Sequence, residues 1–139
     1  MRLYVFFRMN FSRPSILPAL LVTGLALALT GCSTVKLDPT GEKTAIYQLN
    51  EFRMLLNSTA PAGFAATQKA FRDLDLFETY SKLDTFSGEL YARSRSDEKV
   101  YVSVSEVNSR QTLLRIRWSN TGDKKRSKAL YDVIESNLR

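Results

Sequence analysis

Between Lys99 and Val107 the chain reads KVYVSVSEV, where Val100, Val102 and Val104 alternate with Tyr101, Ser103 and Ser105. A period of two puts the valines on one side of an extended chain and the polar side chains on the other. A helix cannot gather that pattern onto one face. A strand buried on both sides would not carry a polar residue at every second position. The segment therefore belongs to an antiparallel sheet with one covered face and one wetted face. Gln111–Ser119 repeats the pattern, with Leu114, Ile116 and Trp118 on one face and Leu113, Arg115 and Arg117 on the other. Ser81–Arg95 is a third strand, alternating through Leu83 and Phe86–Ala92, with Gly88 a candidate bulge position. The joints Ser96-Asp97 and Asn108-Ser109-Arg110 are short and polar, which predicts a meander of hairpins.

Two segments carry the helical period instead. Asn57-Ser58-Thr59 interrupts the apolar pattern, Ser58 or Thr59 can cap a helix, and Pro61 suits its first turn. Phe64, Gln68, Phe71 and Leu74 follow at helical spacing, so Pro61–Asp73 is read as an amphipathic helix. Asn120-Thr121-Gly122-Asp123 stops the sheet, and Asp123 can cap a last helix whose stripe is Leu130, Val133, Ile134 and Leu138. Thr44–Leu56 is read as a single strand, with Ile46, Phe52, Met54 and Leu56 on one face. The predicted order is β-α-β-β-β-α. It implies an α+β two-layer sandwich, an antiparallel four-stranded sheet with two helices on one face. The predicted core is Phe64, Phe71, Leu90, Val100, Val102, Val104, Leu114, Ile116, Leu130, Val133, Ile134 and Leu138, with Trp118 at its edge.

Upstream of this domain the composition changes. Residues 1–14 carry Arg2, Arg8 and Arg13 and no acid, and Ile16–Leu29 is apolar apart from Pro18, Thr23 and Gly24. Thr30, Gly31, Cys32 and Ser33 are small. A basic start, a short apolar run and a small-residue site describe a secretory signal peptide. The run is shorter than the roughly 20 residues a membrane-spanning helix needs. Met9 is a second candidate start, and either start leaves the same mature chain.

Cys32 is the only cysteine, and the chain has no histidine. Leu29-Thr30-Gly31-Cys32 resembles the bacterial lipobox. That resemblance implies diacylglyceryl transfer to the Cys32 thiol, cleavage before Cys32, and acylation of the new amine. The expected organisation is a signal peptide over 1–31, a lipidated N-terminus and flexible tether over 32–43, and one α+β domain over 44–139. The tether reading rests on the Ser, Thr, Asp, Pro and Gly of Ser33–Lys43. In the sorting pattern of enteric bacteria, aspartate after the cysteine favours the inner membrane. Ser33 stands there, which by resemblance implies the outer membrane with the domain facing the periplasm. Three of the twenty Lys and Arg fall in the leader, so seventeen face fourteen acids and the mature chain carries only +3.

The lipobox, a short tether and a domain of this element order together resemble a family of small bacterial lipoproteins with no assigned activity. Ala45-Ile46-Tyr47-Gln48-Leu49, Phe86-Ser87-Gly88-Glu89-Leu90-Tyr91-Ala92-Arg93 and Leu114-Arg115-Ile116-Arg117 with Thr121-Gly122-Asp123 carry the likeness. It implies no catalytic residue.

The residues themselves point the same way. Without histidine there is no Ser-His or Cys-His nucleophile. With the one thiol acylated, the usual zinc ligands are missing. Asp73, Asp75 and Glu78 cluster after the first helix but lack the glycine turn of a calcium loop. No glycine-rich phosphate loop exists, so no cofactor or metal is expected. Two basic groups remain. Tyr91, Arg93, Tyr101, Arg115 and Arg117 are expected on the open sheet face, a candidate site for an anionic envelope ligand such as phospholipid or lipopolysaccharide. Lys124-Lys125-Arg126 opens the last helix, where the macrodipole disfavours cations, and is a second candidate anion site. The reading is a lipid-anchored, non-enzymatic structural or interaction module. Its expected partners are the membrane, through its lipid, and an envelope protein or anionic lipid, with no nucleic acid. The alternative is a binding domain using the basic sheet face.

Overall fold

The computed structural model describes residues 33–41 and 43–139. In these the strands are β1 (Ser33–Lys36), β2 (Thr44–Gln48), β3 (Glu51–Leu56), β4 (Phe77–Leu83), β5 (Ser87–Arg93), β6 (Lys99–Asn108) and β7 (Gln111–Trp118). Helix α1 (Ala60–Asp73) follows β3, and α2 (Lys124–Asn137) follows β7. All neighbours pair antiparallel, in the order β1-β2-β3-β7-β6-β5-β4. The domain is α+β, but the expected four-stranded sheet is wrong: the sheet has seven strands.

Three local features account for the difference. Thr44–Leu56 is a hairpin, not one strand, because Leu49 and Asn50 both take left-handed φ (52° and 62°) between the paired residues Gln48 and Glu51. That is the two-residue type I′ turn, which normally announces itself with Asn-Gly. Crossing it exchanges which alternate residues face inward. Phe52 and Leu56 are buried, while Ile46, expected beside them, is exposed. Ser81–Arg95 is likewise two strands, β4 and β5, joined at Asp84 and Phe86, where the Asp84 amide donates to the Ser87 carbonyl. Ser33–Lys36, read as the start of a flexible tether, is an edge strand paired with β2, and Val35 is buried.

Both helices lie on the face formed by Phe52, Leu90, Val100, Val102, Val104, Leu114 and Ile116, all essentially inaccessible. Phe64 and Phe71 of α1 and Leu130, Tyr131 and Ile134 of α2 complete this core. Trp118 is buried too, while Val133 and Leu138 pack only partly against the core. Gly88 makes no bulge: it pairs in register with Val104. A Cβ there would lie 2.6 Å from the Phe64 ring, so glycine lets α1 close onto the sheet. The irregular steps are in β4, between Glu78 and Tyr80, and in β6, between Glu106 and Asn108.

The helix ends follow local chemistry. The Ala60 amide at the start of α1 donates to Glu106 Oε1 at 3.0 Å. Asp75 at φ 53° ends α1 as a Schellman motif, with the Leu76 amide bonding the Phe71 carbonyl and the Asp75 amide bonding that of Arg72. Asp123 caps α2 by accepting the Arg126 amide at 3.0 Å.

Candidate functional site

The uncovered face of the sheet is built by the residues that alternate with the core. Registers of β4 through β7 align Tyr80, Tyr91, Tyr101 and Arg117 in one row across four strands. Tyr80 and Tyr91 meet edge-on at 5.4 Å between centroids, and Tyr91 and Tyr101 lie 4.9 Å apart. The Arg117 guanidinium sits over the Tyr101 ring at 5.8 Å. Partial burial, above all, pushes the Tyr101 phenol above its ordinary value. Beside this row, Tyr91, Tyr101, Lys99, Arg117 and Asn120 line a shallow depression of about 330 Å³.

The expected arginines do share this face, but they do not form one site. Arg93 is ion-paired with Asp97 at 2.5 Å. Arg115 lies directly between Arg53 of β3 and Ser103 of β6. Arg53 is itself held by the buried Glu51 at 2.7 Å. Strand spacing puts Arg93 and Arg115, two strands and four residues apart, at about 16 Å from one another. Glu89 adds negative charge in the Arg115 row, near the Tyr101 hydroxyl at 3.5 Å. The face is an aromatic ladder with mixed charge, and of Arg93, Arg115 and Arg117 only the last two stand close together. Tyr80 and Lys99 also belong to it and were not anticipated. Tyr80 lies on β4, a strand whose residues are all exposed and whose apolar positions therefore do not alternate with burial.

Lys124, Lys125 and Arg126 lie on the helix side of the sheet. Arg126 is engaged: it pairs with Glu98 and Asp123 and stacks on Trp118 at 5.4 Å. Lys124 and Lys125 are exposed. Lys124 Nζ lies 3.4 Å from Ser33 Oγ, so the start of α2 touches the start of β1. The loop before α2 also packs on the β2–β3 turn. A Cβ on Gly122, at φ 71°, would sit 2.3 Å from Tyr47 Oη and 2.6 Å from the Asn50 carbonyl. Sequence reasoning placed neither Leu49 nor Ser33 in this group, because the hairpin that carries them there was not recognised.

The carboxylates after α1 go separate ways. Asp73 accepts from Asn137 at 3.0 Å, Asp75 pairs with Arg95 at 3.0 Å, and Glu78 accepts from Gln68 at 3.1 Å. Among the described residues no cluster of three metal-ligating side chains exists, and no helix is long and apolar enough to cross a membrane. Cys32 and the leader lie outside the described residues.

No curated protein matches the chain. A family described as "Protein of unknown function (DUF3568)" matches residues 15–137, which takes in the apolar run, Cys32 and both layers of the sandwich. The match spans most of the sequence, and the chain belongs to that family.

Proposed function

We propose that the protein is a lipid-anchored module of the bacterial envelope, acylated at Cys32, with its domain facing the periplasm from the outer membrane. The observation that carries this is Leu29-Thr30-Gly31-Cys32. It closes an apolar run of secretory length and holds the only cysteine of a chain without histidine. The module is non-enzymatic. Its open face offers tyrosine rings and arginines to a partner. The test is metabolic labelling with palmitate. Wild-type chain should incorporate label and lose its leader. Cys32→Ser should incorporate none and accumulate as the longer precursor. Labelled Cys32→Ser protein would end this reading.

A second reading has its own support. Arg117 over Tyr101, with Lys99 and Tyr91 across the same depression, is a small cationic and aromatic seat. An anionic envelope ligand such as a phospholipid or lipopolysaccharide phosphate would use Arg117 there, with Arg115 about 7 Å along the strand. Arg93, committed to Asp97, contributes less. Lys124, Lys125 and Arg126, on the opposite side of the sheet, belong to a different surface.

A further inference from the structure

Ser33, the first described residue, is already inside the sheet. It pairs with Tyr47, and its hydroxyl lies 3.4 Å from the Tyr47 carbonyl. One peptide step spans about 3.8 Å. A lipid on Cys32 would therefore leave the chain at one corner of the folded domain, with no spacer between anchor and sheet.

Three other features occupy that corner. The β2–β3 turn lies one residue beyond the Tyr47–Phe52 pair and its neighbour, Gln48–Glu51. At its tip Leu49 is 79% exposed, more than any other large apolar side chain described. The Ser119–Asp123 loop closes on the same turn through Gly122, Tyr47 and Asn50. Lys124 then reaches Ser33 itself, its Nζ donating to Ser33 Oγ at 3.4 Å, and Lys125 is exposed. The first turn of α2 carries no acidic residue, and cations at that end oppose the helix dipole. Leu49 does not serve the fold: it adopts φ 52°, which leucine disfavours, while burying almost nothing. Strain of that kind at an exposed tip points to a use outside the domain.

We infer that this corner is a membrane-docking surface, with Leu49 entering the headgroup region and Lys124 and Lys125 against anionic headgroups of the bilayer that holds the acyl chains. The inference rests on acylation of Cys32. It adds an orientation to that reading. The acyl chains on Cys32 hold the protein to the bilayer without further help, so basic and apolar contacts beside them act to set the domain's orientation. Each lysine near an anionic surface adds attraction that salt screens. The strands then rise away from the bilayer, and the β6–β7 turn at Ser109–Arg110, at the opposite end of the sheet beside Val107, points into the periplasm.

The test uses the full chain, processed in cells and reconstituted into vesicles of phosphatidylethanolamine and phosphatidylglycerol. Intact mass first establishes whether Cys32 is acylated. With that thiol blocked, Leu49→Cys and, separately, Val107→Cys give single nitroxide sites at exposed positions. Collision with oxygen and with a water-soluble nickel chelate reports depth. At position 49 the ratio of oxygen to chelate collisions should be several-fold higher than at position 107. Adding Lys124→Gln and Lys125→Gln should lower it in phosphatidylglycerol vesicles and leave it unchanged in purely zwitterionic ones. An acylated chain whose two labels are equally chelate-accessible overturns the docking surface and leaves acylation standing. A chain without acyl mass overturns both. Shielding at position 49 that persists in detergent, with the chain running as a dimer, assigns the corner to a second copy and overturns membrane docking.

Discussion

Leu49 and Asn50 form a turn that asks both residues for positive φ, and only Asn50 suits it. A leucine held in the left-handed region costs about 1 kcal/mol or more relative to a residue that tolerates it. Leu49→Asn should therefore stabilise the isolated fold by about 1 kcal/mol, since Leu49 is exposed and gives up little packing. Urea denaturation of the two proteins in detergent measures this directly. A loss of stability would mean that Leu49 packs within the domain, and the docking surface would lose its main apolar contact. Gly122 shows the opposite constraint in the same corner. Its φ of 71° and the close approach of Tyr47 and Asn50 leave no room for a side chain, so the turn and the α2 loop are locked together there.

At the scale of elements, Val102 and Ser103 are neighbours with opposite environments. Val102 is fully buried between Leu90 and Ile116, and Ser103 stands on the open face between Glu89 and Arg115. Val102→Asp places a carboxylate in the core without a partner and should cost several kcal/mol, a large share of a domain's stability. Ser103→Asp gains Arg115 and meets Glu89, so its effect should stay within about 0.5 kcal/mol. Equal losses in thermal melts would mean that the faces are misassigned. The faces of β5, β6 and β7 were legible because each buries one side and wets the other, and α2 was legible through its Asp123 cap and apolar stripe. The missing strands are the ones that break those rules. β4 is exposed on both faces, so its apolar residues carry no period-two signal. β1 has four residues, of which only Val35 is buried, and reads as a polar linker. The β2–β3 turn contains neither Gly nor Pro, and a lone Asn50 is all that marks it in the sequence. The candidate basic face was half legible. Alternation puts Arg115 and Arg117 on the same side, and Glu51 with Arg53, but the pairing of Arg93 with Asp97 depends on a hairpin loop that no spacing reveals.

The whole molecule has an unusual titration pattern, because a chain without histidine lacks the one side chain that ordinarily changes charge between pH 5 and 8. Among the described residues the perturbed groups lie at the extremes. Burial raises the phenols of Tyr47, Tyr101 and Tyr131 above their usual range. A raised folded-state value contributes stability that is complete below the unfolded value, near 10, and is lost as pH rises through the folded one. Lys82, raised by its hydrogen bond with Asp84, follows the same sign. Asp38 is lowered, chiefly by the Thr40 hydroxyl, so its contribution is present above about pH 4 and is lost as pH falls through the folded value. Melting temperature should therefore be level from about pH 5 to about pH 9 and fall steeply only above about 10, where Tyr131 must ionise against Phe52 in the core. Tyr131→Phe should shift that alkaline fall to higher pH while leaving the plateau in place, since the ring contact with Phe52 at 5.4 Å does not involve the hydroxyl. Calorimetry at steps from pH 4 to pH 11 reads both curves. A transition between pH 6 and 8 would have to come from a group other than Tyr47, Tyr101, Tyr131, Lys82 and Asp38.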